Sequence, residues 1–273
     1  MLASLDDFAT AVAVQRAVWG FSDVDVVPLH VLLTAGKNGG VVLGAFEDDE
    51  MLGMLFGFPG LMLDGTLKHC SHIAGVVEAA RGRGIGSALK WAQRDVVLEQ
   101  RIELVTWTFD PLEARNAALN LRHLGAIASE YLEDVYGDLA DELNQGLPSD
   151  RLMVQWWLSS PRVRSRATAR ALRMAMAESP PTGDGPEMTV TSRTPEGLRM
   201  PTTWHAPTED VVRLEIPASF QRLKARDPHL ARDWRFFVRE ALQATFAHGY
   251  VAVDVVAEAR DDERAFYVLR RVP

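Results

Sequence analysis

Seven consecutive residues, Arg81, Gly82, Arg83, Gly84, Ile85, Gly86 and Ser87, have the types and spacing to hold a phosphate. Glycines at alternate positions leave successive backbone N–H groups free of side-chain cover. After them Ile85, Leu89, Ala92 and Val96 recur at helical spacing, so a helix should begin where the turn ends. The first-turn amides of a helix have no intrahelical acceptor, and such a turn therefore gathers donors at one point and binds an anion there. The helix dipole adds only about 0.3–1 kcal/mol for an exposed anion, which leaves most of the holding to convergent hydrogen bonds. No lysine precedes Ser87, so the turn is not a Walker loop, and its alternating glycines do not make the G-x-G-x-x-G of a dinucleotide turn.

Proton-transfer candidates lie close by. His72 opens an apolar run over residues 72–77 that reads as a strand, and strand alternation puts it on the face of Ala74 and Val76. An imidazole with an ordinary pKa of about 6.5 suits proton removal from an amine, although a histidine on an apolar strand also serves as a hydrogen-bonded core residue. His69, nearer the strand start, is the weaker candidate. Tyr131 and Tyr136 fall on a later strand and carry hydroxyls whose direction the sequence does not fix. Asp110 and Arg115 flank a short helix, where either could meet an acceptor's ammonium or carboxylate; Asp110 could instead be a helix cap. Asn120, on that helix, is polar but cannot titrate. Cys70 is the single cysteine, which excludes a disulfide framework and a cysteine-based metal cluster, and no metal is expected.

The elements that must position these residues follow from periodicity and punctuation. Helices are expected over residues 6–19, with Gly20 as C-cap, and from Pro28 to near Gly39. Strands over 41–46 and 51–58 flank an acidic hairpin loop; Pro59 and Gly60 should end the pair, with a looser stretch to Lys68. A strand over 102–109, a helix over 112–124 stopped by Gly125, a strand over 126–136, a helical insert over 138–146 and a strand over 149–158 complete a mixed α/β sheet flanked by helices. Arg162, Arg164, Arg166, Arg170 and Arg173 mark a connecting helix, read as a solvated face or as extra phosphate contacts. A Pro/Gly linker follows over 179–186. A strand over 211–216, a helix with Leu230, Trp234, Val238, Ala241, Leu242 and Thr245 on one face, and two strands then form a smaller α+β unit. The division expected is 1–158, 159–187 and 188–273.

Arg81, Gly84 and Gly86 as R-x-x-G-x-G, with Val76 on the strand before them, resemble motif A of the GNAT superfamily of N-acyltransferases. RNAALNLRHLGA, over 115–126, resembles its motif B. More narrowly, WTFDPLEARNA, LNLRHLGA, YGDL and LNQGLPSDRL resemble a group of bacterial GNAT proteins described as predicted acetyltransferases. The resemblance implies that residues 81–87 bind the pyrophosphate of an acyl-coenzyme A, that the strand around Val76 and Val77 splays from its neighbour to pair with the pantetheine arm, and that Asn116 contacts the coenzyme. It implies transfer of an acetyl group, or another acyl group such as succinyl, to the amine of a small molecule, with an amino acid the foremost acceptor. It leaves a homodimer open. Where the family often carries a tyrosine, four residues before Gly125, this chain has Leu121; hence the competing reading is an acyl-coenzyme A-binding or regulatory module without turnover.

The formal net charge of −8 argues against nucleic-acid and membrane-surface partners. The N-terminus has acids where a signal peptide needs positive charge, so a cytoplasmic location is the expectation.

Overall fold

The computed structural model describes residues 1–20, 23–137, 146–171, 185–258 and 263–272. They form a mixed α/β structure in two compact units. The first is Met1–Trp107 with Trp156–Arg164, and the second is Thr108–Gln155 with Ser165–Pro273. This differs from the linear division expected: two strands, β4 (Leu104–Phe109) and β6 (Arg151–Trp157), each pass from one unit into the other.

In the first unit, α1 (Leu5–Trp19) starts at a capping box of Ser4 and Asp7 and stops at Gly20, whose φ of 65° is left-handed. Pro28 precedes α2 (Leu29–Lys37). Strands β1 (Val41–Glu47), β2 (Glu50–Leu61) and β3 (Leu67–Val76) pair antiparallel, and β3 pairs parallel with β4. β2 is buried almost without a break, as expected for a strand covered on both faces. Met54 and Phe56 join Phe8, Ala11, Val14 and Leu32 in one apolar cluster. Gly53 and Gly57 face the other way, toward Ile85 and Gln93 of α3 (Ile85–Glu99); a Cβ at Gly57 would obstruct Gln93, while one at Gly53 would crowd the Gly75 carbonyl oxygen at 2.9 Å.

Three expectations need correction here. Pro59 and Gly60 do not end the strand pair: β2 runs on to Leu61, with Pro59 opposite His69 and Gly60 opposite Lys68. β1 reaches only to Gly57, so the proline's missing N–H interrupts no ladder on the side that β1 has left. Consequently β3 begins at Leu67 rather than near His72. Finally, α3 buries Leu89, Lys90, Trp91, Gln93 and Val97, while Ala92 is exposed. The helix is rotated from its apolar stripe because two polar residues occupy the inward face.

In the second unit, α4 (Ala114–Ala117) runs into a π-helical turn over Ala118–His123, then β5 (Ile127–Leu132). α5 (Pro161–Ala171) starts in the first unit and ends in the second. A hairpin of β7 (Thr189–Arg193) and β8 (Arg199–Trp204), closed by a Thr-Pro-Glu-Gly turn, was not anticipated. β9 (Val211–Pro217), α6 (Phe220–Arg226), α7 (Pro228–Ala247), β10 (Tyr250–Ala257) and β11 (Arg264–Arg271) follow. The antiparallel order is β6, β5, β10, β11, β9. The expected apolar face of α7 is buried as read, with Arg235 among it. The helical insert falls mainly on residues 138–145, outside the described residues, as do Arg173 and most of the linker. No helix among the described residues is long and apolar enough to cross a membrane, and none of their acidic, histidine or cysteine side chains cluster as metal ligands.

Candidate active site

The glycine turn leaves a row of backbone donors open at the start of a helix. Gly82 and Gly84 both have φ of 80°, a conformation that side chains resist. Gly84 stands at the N-cap of α3 without a side-chain cap, and a Cβ at Gly82 or Gly84 would meet open space. Arg81 Nε donates to the Val76 carbonyl at 3.3 Å, folding the turn back on β3, and Arg83 is ion-paired with Glu47. Among the described residues, the backbone N–H groups of residues 82–87 donate to no protein acceptor; the first bond of the helix is Ala88 N–H to the Gly84 carbonyl, at 3.0 Å. Up to six donors are thus left at one helix start, beside two guanidinium groups.

The adjoining strand is open along one edge. β3 pairs with β4 at His69 with Val105 and at Cys70 with Thr106, and no register continues past Cys70 among the described residues. Residues 71–76 therefore keep backbone groups on that side for another extended chain. On the other side, β3 bulges: Phe56 pairs with Ile73 and Gly57 with Ser71, leaving His72 as the extra residue. The simple alternation placing His72 with Ala74 and Val76 is therefore interrupted at His72 itself. Its ring is exposed yet flanked by Phe56 and Phe58, with centroids 5.9 and 6.0 Å away, and desolvation holds it below the usual histidine range. A neutral imidazole at neutral pH is a competent base. His69, by contrast, is wholly buried, and that burial, helped by the charge of Lys90, lowers its pKa to about 4.

Sequence reasoning missed a polar cluster under this edge. Lys90 is 4% exposed; its Nζ donates to Ser71 Oγ at 2.6 Å and lies 3.7 Å from the centroid of Trp107. Ser71 Oγ donates in turn to Gln93 Oε1 at 3.1 Å. Burial pulls the Lys90 ammonium down to about 7. The available signal was the sequence itself: Lys90, Gln93 and Val97 share a helical face offset from the apolar stripe.

In the second unit, the acceptor candidates are differently disposed. Both carboxylate oxygens of Asp110 accept from Arg235, at 2.8 and 2.5 Å, and Oδ1 also accepts the Leu112 N–H at 2.8 Å. Asp110 is therefore engaged as half of a buried ion pair and a turn cap. Tyr131 donates its hydroxyl to Asp150 at 2.6 Å, and burial, with that carboxylate, pushes its phenol well above the ordinary range. It is unsuited to giving up a proton. Arg115 and Asn116 are exposed, whereas Asn120 is buried and donates to Asn116 Oδ1 at 3.3 Å. Leu121 is fully buried. Tyr136 lies 3.4 Å from the Thr108 hydroxyl.

No protein-family model matches the chain, and no curated protein does. Solved structures resemble it over half of its length or somewhat more. One is a ribosomal-protein-alanine N-acetyltransferase from Brucella melitensis, with 20% identity and a TM-score of 0.45, covering 57% of this chain and 96% of that one. Another is an acetyltransferase of the GNAT family from Streptococcus pneumoniae, with 15% identity and a TM-score of 0.46, covering 57% and 96%. A third is Arabidopsis thaliana Naa50 in complex with the bisubstrate analogue CoA-Ac-MVNAL, with 16% identity and a TM-score of 0.37, covering 50% and 80%.

Proposed function

We propose that this protein is a GNAT-type N-acyltransferase that takes an acetyl, succinyl or similar acyl group from acyl-coenzyme A and delivers it to the amine of a small molecule, foremost an amino acid. The observation that carries this reading is the row of unpaired N–H groups over residues 82–87, set at the start of α3 and next to the open edge of β3. Pyrophosphate suits the first feature, because it offers several charged acceptors to convergent amides. A pantetheine arm, with its two amide groups, suits the second. Val76, Val77 and residues 81–87 are then the coenzyme contacts of the first unit, and the exposed Asn116 and Arg115 are the positions of the second unit open to ligand.

The coenzyme supplies an activated thioester when bound. The chain must hold that thioester, receive a neutral amine and return a proton to the departing sulfur. His72, exposed and kept neutral by its phenylalanine neighbours, is the base of this scheme. A second reading, coenzyme binding without turnover, draws on the buried Leu121, which offers no hydroxyl where the family often has one.

Thiol release from acetyl- and succinyl-coenzyme A, assayed against a panel of amino acids with coenzyme binding measured in parallel, separates the two. Acceptor-dependent release is the expected result. Binding without release across the panel would overturn the enzymatic reading, and absence of both would overturn the coenzyme itself.

A further inference from the structure

Ser71 and Trp107 are the first residues past the last rung of the parallel ladder, Cys70 with Thr106, and they mark the apex at which the edge of β3 comes free. Lys90 bridges them from α3, touching the serine hydroxyl at 2.6 Å and the indole face at 3.7 Å. Its amine is therefore the floor of that apex. A residue that merely filled this space would be apolar, since burying an ammonium costs heavily unless a charge answers it.

No carboxylate answers it among the described residues. The groups facing Lys90 are Ser71 and His69 from β3, Gln93 from the next turn of α3 and Trp107 from β4, with Trp156 edge-to-face against Trp107 at 5.9 Å. His69 is neutral at ordinary pH and both its ring nitrogens lack partners, as does Gln93 Nε2, so they add polarity without charge. The Ser71 hydroxyl, fixed by Gln93, holds the amine against the indole, which stabilises the protonated form. Burial does the opposite and draws the pKa to about 7, so that this ammonium parts with a proton under neutral conditions.

We propose that Lys90 is the proton donor to the thiolate leaving group, acting at the apex between β3 and β4; this rests on the acyl-coenzyme A reading. The acceptor nitrogen attacks the thioester carbonyl, a C–N bond forms and the C–S bond breaks. The sulfur leaves with the bonding pair and takes a proton from the Lys90 ammonium, giving free thiol and a neutral amine. The proton shed by the acceptor nitrogen goes to His72 and from there, through water, restores the Lys90 ammonium, so the cycle closes on amide and thiol. Neither Leu121 nor Tyr131, committed to Asp150, competes for this task.

The test pairs kinetics with a titration that does not depend on turnover. For the parent, kcat should fall on the alkaline side with a midpoint near the Lys90 pKa of about 7. Lys90→Met, which keeps the volume, should lower kcat about 10²-fold, remove that alkaline limb and leave coenzyme affinity unchanged; Ser71→Ala should shift the limb. An unaltered rate and limb in Lys90→Met would overturn the proposal. Independently, NMR of selectively labelled lysine should give a Lys90 midpoint that differs between complexes with coenzyme A and with desulfo-coenzyme A. Equal midpoints with both ligands bound would overturn the proposal while leaving coenzyme binding intact, and failure of either ligand to bind would overturn the reading beneath it.

Discussion

At the scale of single residues, Lys90 and His69 tie the stability of the first unit to pH. Lysine in an unfolded chain titrates at about 10.4, whereas burial holds Lys90 at about 7 when folded. Between those values the unfolded chain binds the additional proton, so stability rises with pH; below the folded value both states are protonated and the slope vanishes. His69 adds a slope of the same sign between its folded value of about 4 and its ordinary value of 6.5. Lys90→Met is accordingly expected to be more stable than the parent near neutrality, by about 1 kcal/mol or more, with the difference closing toward strongly alkaline pH. Thermal melts of both proteins across that range check it, and a difference independent of pH would contradict the assignment. The turn before α3 was legible in the sequence because Gly82 and Gly84 adopt a left-handed backbone, for which glycine is the direct signature. Lys90 was not, because its meaning depends on which face of α3 turns inward, and Leu89, Ala92 and Val96 made a better apolar stripe than the one the helix buries.

At the scale of elements, α3 is rotated by its company. Gly57 in β2 makes room for its Gln93 and for His69: an added Cβ would lie 2.4 Å from His69 Nε2, 2.7 Å from the Cys70 carbonyl oxygen and 2.9 Å from Gln93 Nε2. The carbonyl cannot yield as a flexible side chain would. Gly57→Ala should therefore cost about 1–3 kcal/mol, read as a lowered midpoint in urea; a midpoint equal to the parent's would mean that the polar cluster is loosely packed. Strand identities in this region were legible from β-rich runs, but their ends were not. Pro59 looked like a terminator and is tolerated because β1 has already departed, a fact of sheet topology rather than of local sequence. The bulge at His72 was equally invisible, since a bulge is defined by the partner strand.

At the scale of the molecule, the segment after the linker is not an appendage. Asp110, Arg122 and Asp150 form ion pairs with Arg235, Asp254 and Arg239, and Ala128 of β5 pairs with Ala252 of β10. Some of these partners lie more than a hundred residues apart, beyond the reach of periodicity or composition; the apolar face of α7 is buried as its spacing indicates, but Arg235 within it has no partner visible in the sequence. The second unit thus supplies folded support to the strand and helix that follow β4, and the first carries the glycine turn and the Lys90 cluster. The central claim, that residues 82–87 hold the pyrophosphate of a coenzyme A thioester, is tested most directly by calorimetric titration with coenzyme A and with pantetheine, which lacks the pyrophosphate. Gly86→Glu is the informative variant: Gly86 has no positive φ and a Cβ there meets only Val76 at 3.8 Å, so the change adds charge without backbone strain. The account predicts that the parent binds coenzyme A at least about tenfold more tightly than pantetheine, a difference of about 1.4 kcal/mol, and that Gly86→Glu abolishes this preference. Equal affinities for the two ligands in the parent, or an unchanged preference in Gly86→Glu, would contradict it.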